Sequence, residues 1–181
     1  MAEKMPAHAF YVKGVRKMEF NKNVSNPMLV GAIELMKAEP SQEHQNMLIA
    51  EMRKAKYLAP VVLTPEPDKD ENGKITVAPG SKIQFPMLSA PDGKLFFMAF
   101  TDKPEYEKWN DAEGKNVCVL NFEELAAMLL RKDAQGNTCP ALGFVINPFS
   151  ANIVIPKEMA AGIMAAEMAQ KGQNIPPVTE S

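Results

Sequence analysis

The residues whose types and spacing come closest to known chemistry form an acidic loop, Asp68-Lys69-Asp70-Glu71-Asn72-Gly73. Oxygen-bearing side chains at the first, third and fifth positions, followed by glycine at the sixth, match the first half of a calcium-binding loop. The twelfth position should supply a bidentate glutamate, but it is Pro79, and the flanking residues are typical of strands rather than helices. We therefore interpret the segment as a polar turn between strands and predict no metal site there.

The other candidate catalytic residues form no recognisable arrangement. His8 and His44 are far apart in the chain, and neither has metal-ligand spacing to a cysteine or a carboxylate. Cys118 lies in an apolar run typical of a strand, so we expect an inert, buried thiol. Glu123 and Glu124 are expected at the start of a helix, where carboxylates are favourable. No nucleophile elbow, phosphate-binding loop or dinucleotide fingerprint is present. We expect no cofactor and consider catalysis less favoured than binding.

A small-ligand site is predicted where a strand turns directly into a short helix. Residues 95–100 are an apolar run typical of a buried strand, and Asp102 and Pro104 are typical of a helix start. Ligands often bind at the carboxyl ends of strands, and a helix start offers N–H groups. The predicted site residues are Thr101, Asp102, Tyr106 and Trp109. As an alternative, the two aromatic side chains pack the short helix onto the sheet.

A second candidate surface lies on the C-terminal helix, predicted from Pro156 to about residue 170. Its large apolar residues recur at three- to five-residue steps and are separated mainly by alanine: Met159, Ile163, Met164 and Met168. Such a helix either docks in a groove of its own domain or offers an apolar side to another chain. Methionine adapts to both situations. These residues are therefore candidates for a partner or self-association surface, and docking within the domain is the alternative.

The remaining pattern supplies the elements that position these residues. Helices are also predicted after Asn26, Ser41 and Asn121, which are suited to capping. Strands are predicted over residues 57–63, 75–77, 82–88, 95–100, 116–120, 142–146 and 152–155. Pro60 favours an edge position or an irregular course for the first of these strands. The turn Pro91-Asp92-Gly93 predicts an antiparallel hairpin between the third and fourth.

This order of elements predicts an α+β fold, a single domain with a mixed, mostly antiparallel β-sheet covered by helices. Hairpins require antiparallel pairing, whereas the strand–helix–strand section in the middle of the chain favours some parallel pairing. We divide the chain into an N-terminal arm over residues 1–24, the domain over residues 25–171 and a flexible tail over residues 172–181.

Composition limits the classes of partner. The chain has 181 residues, 46% of them hydrophobic and 23% charged, as is usual for one soluble globular domain. The net charge of -2 argues against a nucleic-acid partner, which requires clustered Lys and Arg. No apolar run approaches the length needed to span a membrane, so we expect no membrane partner. With only two cysteines and no disulfide framework, a cytoplasmic location is predicted.

Several short blocks, taken in order, resemble one known family. They are Asn26-Pro27-x-Leu29, Tyr57-Leu-Ala-Pro60-Val61, Ala99-Phe100-Thr101 with Trp109 downstream, Gly143-Phe-Val-Ile-Asn147-Pro148-Phe149 and Ile153-Val-Ile155. Together they are similar to the N-terminal domain of the SseB family, named for enhanced serine sensitivity. The resemblance covers residue 26 to the start of the last helix. It implies a compact bacterial α/β-type domain without an agreed activity, and hence no catalytic residues to transfer.

From the residues and the resemblance we predict a non-catalytic bacterial cytoplasmic domain that binds a protein or a small ligand. One alternative is an enzyme of small-molecule metabolism whose site is assembled from scattered residues. It would require a concave pocket holding a carboxylate or cysteine with a perturbed pKa. Another alternative is a secretion-related adaptor or chaperone, which differs from the first hypothesis only in its partner. The partner itself is not identified by the sequence, and self-association is one option.

Overall fold

The computed structural model describes residues 7–10, 18–110, 112, 115–133 and 135–173. The strands are β1 (Ala7–Phe10), β2 (Lys56–Thr64), β3 (Asp68–Lys69), β4 (Ile75–Thr76), β5 (Lys82–Ser89), β6 (Leu95–Ala99), β7 (Asn116–Asn121), β8 (Gly143–Ile146) and β9 (Ile153–Pro156). The helices are α1 (Pro27–Ala38), α2 (Gln42–Lys54), α3 (Lys103–Glu107), α4 (Phe122–Leu130) and α5 (Lys157–Gln173). Each helix and each strand predicted from the sequence is present, with small differences at the ends.

Three of the predicted helix caps form the expected hydrogen bonds. The side chains of Ser41 and Asp102 accept backbone N–H hydrogen bonds in the first turns of α2 and α3, at 3.1 and 2.9 Å. At the start of α4, Asn121 and Glu124 form a reciprocal capping box. These helix starts depend only on residues within one turn of each other, which is why the sequence pattern locates them.

Asn26 precedes α1 as predicted, but its side chain does not cap that helix. Its amide nitrogen instead donates to the carbonyl oxygens of Lys56 and Thr101, each at 2.7 Å. Its side-chain oxygen accepts from the backbone N–H of Lys56 at 3.2 Å. The start of α1 is thus tied to the start of β2 and to the residues that follow β6.

The sheet has the strand order β7-β2-β5-β6-β8-β9, and β1 pairs with β5 beside this path. Among the described strands, β6 and β8 pair in parallel and the other ladders are antiparallel. The parallel pair requires a long connection, which here contains α3, β7 and α4. Strands β3 and β4 form a separate two-stranded ribbon. The predicted class, a single α+β domain with a mixed, mostly antiparallel sheet covered by helices, is confirmed.

The edge position considered for β2 because of Pro60 is wrong, since β2 lies between β7 and β5. Pro60 is opposite Val117 in the ladder with β7. Val117 exchanges hydrogen bonds with Asn21 on its other side, at 2.8 and 3.1 Å. The Pro60–Val117 pair is therefore a non-hydrogen-bonded one, and the missing N–H of proline leaves no gap in this ladder. Sequence alone does not reveal which edge of a strand faces a given neighbour.

The hairpin between β5 and β6 is confirmed. The N–H of Ala90 donates to the carbonyl of Lys94 at 2.8 Å, and the N–H of Gly93 donates to the carbonyl of Ala90, also at 2.8 Å. Gly93 has a φ of 81°, a conformation that a residue with a side chain rarely adopts. The turn chemistry predicted from Pro91-Asp92-Gly93 therefore sets the register of the two strands.

Apolar side chains cover both faces of the sheet. The larger core lies between one face and helices α1, α2, α4 and α5, and includes Tyr57, Phe97, Cys118, Phe122 and Phe144. The second cluster lies on the opposite face and comprises Leu58, Met98, Phe100, Tyr106, Trp109 and Val117. Successive residues of a strand point to opposite faces, so neighbours such as Tyr57 and Leu58 enter different cores. Strand β7 is covered on both faces, because Cys118 lies in the larger core and Val117 in the second cluster.

The ends of the domain are only partly described. Within the predicted arm, β1 pairs with β5, and the segment around Phe20 runs beside β7. The carbonyl of Glu19 accepts from the N–H of Val119 at 2.9 Å. Helix α5 extends through Gln173, and residues 174–181 of the predicted tail lie outside the described residues. Within the described part of the chain, no helix is both long and apolar enough to cross a membrane.

Candidate functional site

Thr101, the first residue of the predicted ligand site, is completely buried at the carboxyl end of β6. Its N–H donates to the side-chain oxygen of Asn147 at 3.0 Å, and its hydroxyl accepts from the Asn147 amide at 2.9 Å. The same hydroxyl donates to Asp102 at 2.9 Å, while its carbonyl accepts from Asn26. Each polar atom of Thr101 therefore has a partner within the domain.

Asp102 also uses both carboxylate oxygens internally. One oxygen accepts from the Thr101 hydroxyl, and the other accepts from the backbone N–H of Glu105 at 2.9 Å. The side chain thereby occupies a donor at the start of α3 that a ligand would otherwise use. The carboxylate acts in this structure as a helix cap.

Tyr106 and Trp109 pack against each other and against the second face of the sheet. Their ring centroids are 6.2 Å apart, and Tyr106 meets Phe100 edge to face at 5.4 Å. The Tyr106 hydroxyl donates to the carbonyl of Ala112 at 3.1 Å, and the Lys115 ammonium lies 4.9 Å from the centroid of the Trp109 ring. Trp109 is only 4% exposed. This packing favours the alternative given for the aromatic pair, namely that it fastens the short helix to the sheet.

The four predicted residues are thus brought together, as the sequence pattern suggested. What the structure adds is that the polar atoms of Thr101 and Asp102 bind groups of the domain itself. The two aromatic rings pack against the second face of the sheet. The three cavities described below have other linings. The junction therefore serves the fold directly, by joining α1, β2, α3 and the turn after β8, and ligand binding there remains a prediction.

The candidate surface on α5 is divided between the core and solvent. Met159, Ile163 and Met164 are partly buried and pack against the larger core, while Met168 is 70% exposed. Arg53 of α2 forms a hydrogen-bonded ion pair with Glu167, which fixes the outer half of α5 against the domain. Docking of α5 within its own domain accounts for the first three residues. Met168 is the member that remains available to a partner.

Buried titratable groups lie in the cores rather than in an open pocket. Burial raises the pKa of the Cys118 and Cys139 thiols and of the Tyr57 phenol, and raises the pKa of Tyr106 to about 12. A thiol with a raised pKa is a poor nucleophile at neutral pH. None of these four groups lines the three cavities described below.

The acidic loop forms the turn between β3 and β4. One carboxylate oxygen of Asp70 accepts from the N–H groups of Asn72 and Lys74, each at 2.9 Å, and Gly73 has a φ of 77°. Within the described residues, no group of three His, Cys, Asp or Glu side chains is placed to hold a metal ion. Asp70 and Gly73 therefore stabilise the turn itself, in agreement with the interpretation of the segment as a polar turn between strands.

A row of three cavities runs along the segment that leads into α1, and we call it the lysine groove. The first, about 420 Å³, lies between Phe20 and the β3–β4 turn, and the second, about 350 Å³, lies beside Val24. The third, about 180 Å³, lies between the start of α1 and the end of α2. Neighbouring cavities share lining residues, Glu19 and Lys22 in one case and Asn26 and Lys54 in the other. The amino-acid sequence gives no sign of this groove, because the segments that form its walls are far apart in the chain.

The outer side of α1 carries exposed apolar residues, one of which, Met28, lines the third cavity. Met28 is 69% exposed and Leu35 is 44% exposed. Seven residues apart, they lie on one side of the helix, whereas Leu29 and Ile33 are buried on the other side. The helix is therefore apolar on two sides. The seven-residue spacing was a sequence signal for this second side, but the choice of the buried side requires the tertiary structure.

The mixed sheet, its helical cover and the apolar cluster on its second face define the class of the molecule, a small α+β domain with one main sheet. The chain belongs to the SseB family: the family model described as SseB protein N-terminal domain matches residues 29–161. The resemblance inferred from the sequence blocks is thereby confirmed. Comparisons with curated proteins and with solved structures give no match.

Proposed function

We propose that this chain is a non-catalytic binding domain of the bacterial cytoplasm, and that it recognises another protein through the outer side of α1. The observation that carries the proposal is the exposure of Met28 and Leu35 on one side of that helix. Single exposed apolar residues are common on protein surfaces, but two on one helix side, one of them lining a cavity, form a patch suited to a partner. The two buried free cysteines support a reducing compartment.

The competing enzyme hypothesis requires a cavity that gathers groups with perturbed pKa values. In the lysine groove, Lys22 lowers the pKa of Glu19 through its hydrogen bond and its charge. That shift is the ordinary consequence of an exposed ion pair, with an N–O distance of 3.0 Å. It keeps Glu19 ionised and moves its pKa away from neutral pH, whereas a general acid or base works best with a pKa near the operating pH. The described cavities therefore favour binding over catalysis.

Cross-linking in cells of the source organism tests the proposal. The full chain is cross-linked, its partners are identified by mass spectrometry, and the best candidate is purified for calorimetry with the isolated chain. We expect the double variant Met28→Glu/Leu35→Glu to weaken binding by about tenfold or more, because an introduced carboxylate must be desolvated in the interface. Both positions are exposed, so the melting temperature should change little.

The matched control is Leu130→Glu/Leu142→Glu, because these two leucines are 41% and 44% exposed and Leu35 is 44% exposed. The control adds the same two charges outside α1 and should leave the affinity within about twofold of the wild-type value. Equal loss of affinity in both variants would indicate a general charge effect and would refute the role of α1. A partner whose binding ignores the α1 variant would refute it as well.

A further inference from the structure

We propose that the lysine groove binds an acidic, extended segment of the partner protein. The inference rests on the proposed function and adds the chemical class of what is bound. Its first basis is charge. The lining includes Lys22, Lys54, Lys56 and Lys74 on the positive side, and Glu19 and Glu51 on the negative side. The whole chain has the opposite balance, with 20 basic and 22 acidic residues. The groove is therefore a local basic region on an acidic protein, which favours acidic partners over neutral or basic ones.

Two of the four groove lysines form ion pairs with the groove glutamates, and the other two do not. Lys22 pairs with Glu19 at 3.0 Å and Lys54 pairs with Glu51 at 2.8 Å. Among the described residues, neither Lys56 nor Lys74 forms an ion pair within 4.0 Å, and both side chains are exposed. These two ammonium groups lie in different cavities of the row, so a ligand that contacts both must be elongated.

The groove wall is held in place before any ligand arrives. Asn21 and Glu19 exchange backbone hydrogen bonds with β7, at 2.8 and 2.9 Å, so the segment that forms the wall is fixed along the sheet edge. Asn26 fixes the next part of the wall to Lys56. A preformed groove loses little conformational entropy on binding, and this favours a short peptide.

Apolar and amide groups between the lysines favour a peptide over a nucleic acid. Phe20, Val24 and Met28 line successive cavities, and each is at least partly exposed. They suit the apolar side chains of a peptide, while Asn72 and Asn23 offer amides for its backbone. A phosphate backbone requires a continuous excess of Lys and Arg, whereas Glu19 and Glu51 interrupt this row.

Selection from a randomised ten-residue peptide library, with the full chain as bait, tests this inference. We expect the selected peptides to be enriched in Asp and Glu and to bind more weakly as salt rises. The groove variant Lys22→Gln/Lys54→Gln/Lys56→Gln/Lys74→Gln should weaken their binding by about tenfold or more. The matched control is Lys37→Gln/Lys103→Gln/Lys108→Gln/Lys132→Gln, which makes the same change in net charge. It also contains two lysines paired with glutamates, Lys103 and Lys108, and it should change the affinity by less than about twofold.

Each outcome decides the inference. Acid-rich peptides that are lost only in the groove variant support it. Selected peptides without acid enrichment, equal loss in both lysine variants, or no selected peptide at all would overturn it. A ten-nucleotide oligothymidylate that binds more tightly than any selected peptide would also overturn it, and would indicate a nucleic-acid ligand instead. Selected peptides that lack acidic residues, and that no longer bind the Met28→Glu/Leu35→Glu variant, would overturn this inference and leave the proposed function standing.

Discussion

Thr101 and Asn147 hold each other through two hydrogen bonds at the centre of the domain. The N–H of Thr101 donates to the Asn147 side-chain oxygen at 3.0 Å, and the Asn147 amide donates to the Thr101 hydroxyl at 2.9 Å. Both residues are buried, and Asn147 has a φ of 49°. The pair joins the carboxyl end of β6 to the turn between β8 and β9. Strands β6 and β8 form the only parallel ladder among the described strands, and α3 begins directly after β6.

Two substitutions of Asn147 should separate the contribution of its hydrogen bonds to stability from the contribution of its backbone conformation. Asn147→Gly tolerates the positive φ but leaves the buried N–H of Thr101 without a partner, so we expect a loss of about 1–3 kcal/mol in the free energy of unfolding. Asn147→Ala should lose about 1 kcal/mol more, because alanine is strained at positive φ. Urea unfolding measures both values. A glycine variant as stable as the wild type would show that the hydrogen bonds contribute nothing.

Asn26 should behave as a tertiary bridge and Asn121 as a helix cap. Serine is as good a cap as asparagine but is too short to reach both Lys56 and Thr101. Asn26→Ser is therefore expected to lower the free energy of unfolding by about 1–3 kcal/mol. Asn121→Ser should be nearly neutral, within about 0.5 kcal/mol. Thermal and urea unfolding compare the two variants, and equal effects would contradict the distinction.

Gly143 should not accept a side chain. A Cβ placed there would clash with the carbonyl oxygen of Ile155, a backbone atom of the neighbouring strand. Gly143→Ala should therefore lower the free energy of unfolding by about 3 kcal/mol or more. The control Gly31→Ala meets no atom within 4 Å in α1 and should stabilise the chain by about 0.5–1 kcal/mol. A tolerated alanine at Gly143 would mean that β8 and β9 are farther apart than described.

Charge substitutions at the last two methionines of α5 should have different effects on stability. Met164→Glu places a carboxylate against the core and should lower the free energy of unfolding by about 1–3 kcal/mol, whereas Met168→Glu should stay within about 0.5 kcal/mol. Sedimentation then tests self-association. If α5 forms that surface, Met168→Glu shifts the chain toward monomer at an almost unchanged melting temperature. A wild-type chain that is monomeric at high concentration would exclude self-association.

Stability should fall at alkaline pH. Burial raises the pKa values of Cys118 and Cys139 above the unfolded-state value of about 8.5, and raises that of Tyr106 to about 12 from about 10. Between the unfolded and folded pKa values the unfolded chain binds fewer protons, so stability is complete below about pH 8.5 and decreases above it. Each thiol contributes up to about 1.4 kcal/mol per pH unit. Urea midpoints between about pH 8 and 10 measure the slope, which Cys118→Ala should reduce. A midpoint that stays constant over this range would contradict the prediction.

Local features of the fold followed from the sequence because neighbouring residues determine them. The caps at Ser41, Asp102 and Asn121 each involve a partner three residues away, and the Gly93 turn closes within five residues. Apolar runs bounded by turn residues located the strands, and the ordered blocks indicated the family. For these features, steric limits and short-range hydrogen bonds leave few alternatives to the observed structure.

Only the tertiary structure decided what the candidate site residues do. Thr101 contacts Asn147 across 46 residues and Asn26 across 75 residues, so nothing near it in the chain indicates that its polar atoms are occupied. Met28 and Leu29 have similar side chains, yet one is exposed and the other buried, because the sheet selects which side of α1 it covers. The lysine groove likewise joins segments that are separated in the chain. Contacts of this kind depend on how the elements pack, and a single sequence records the elements more directly than their packing.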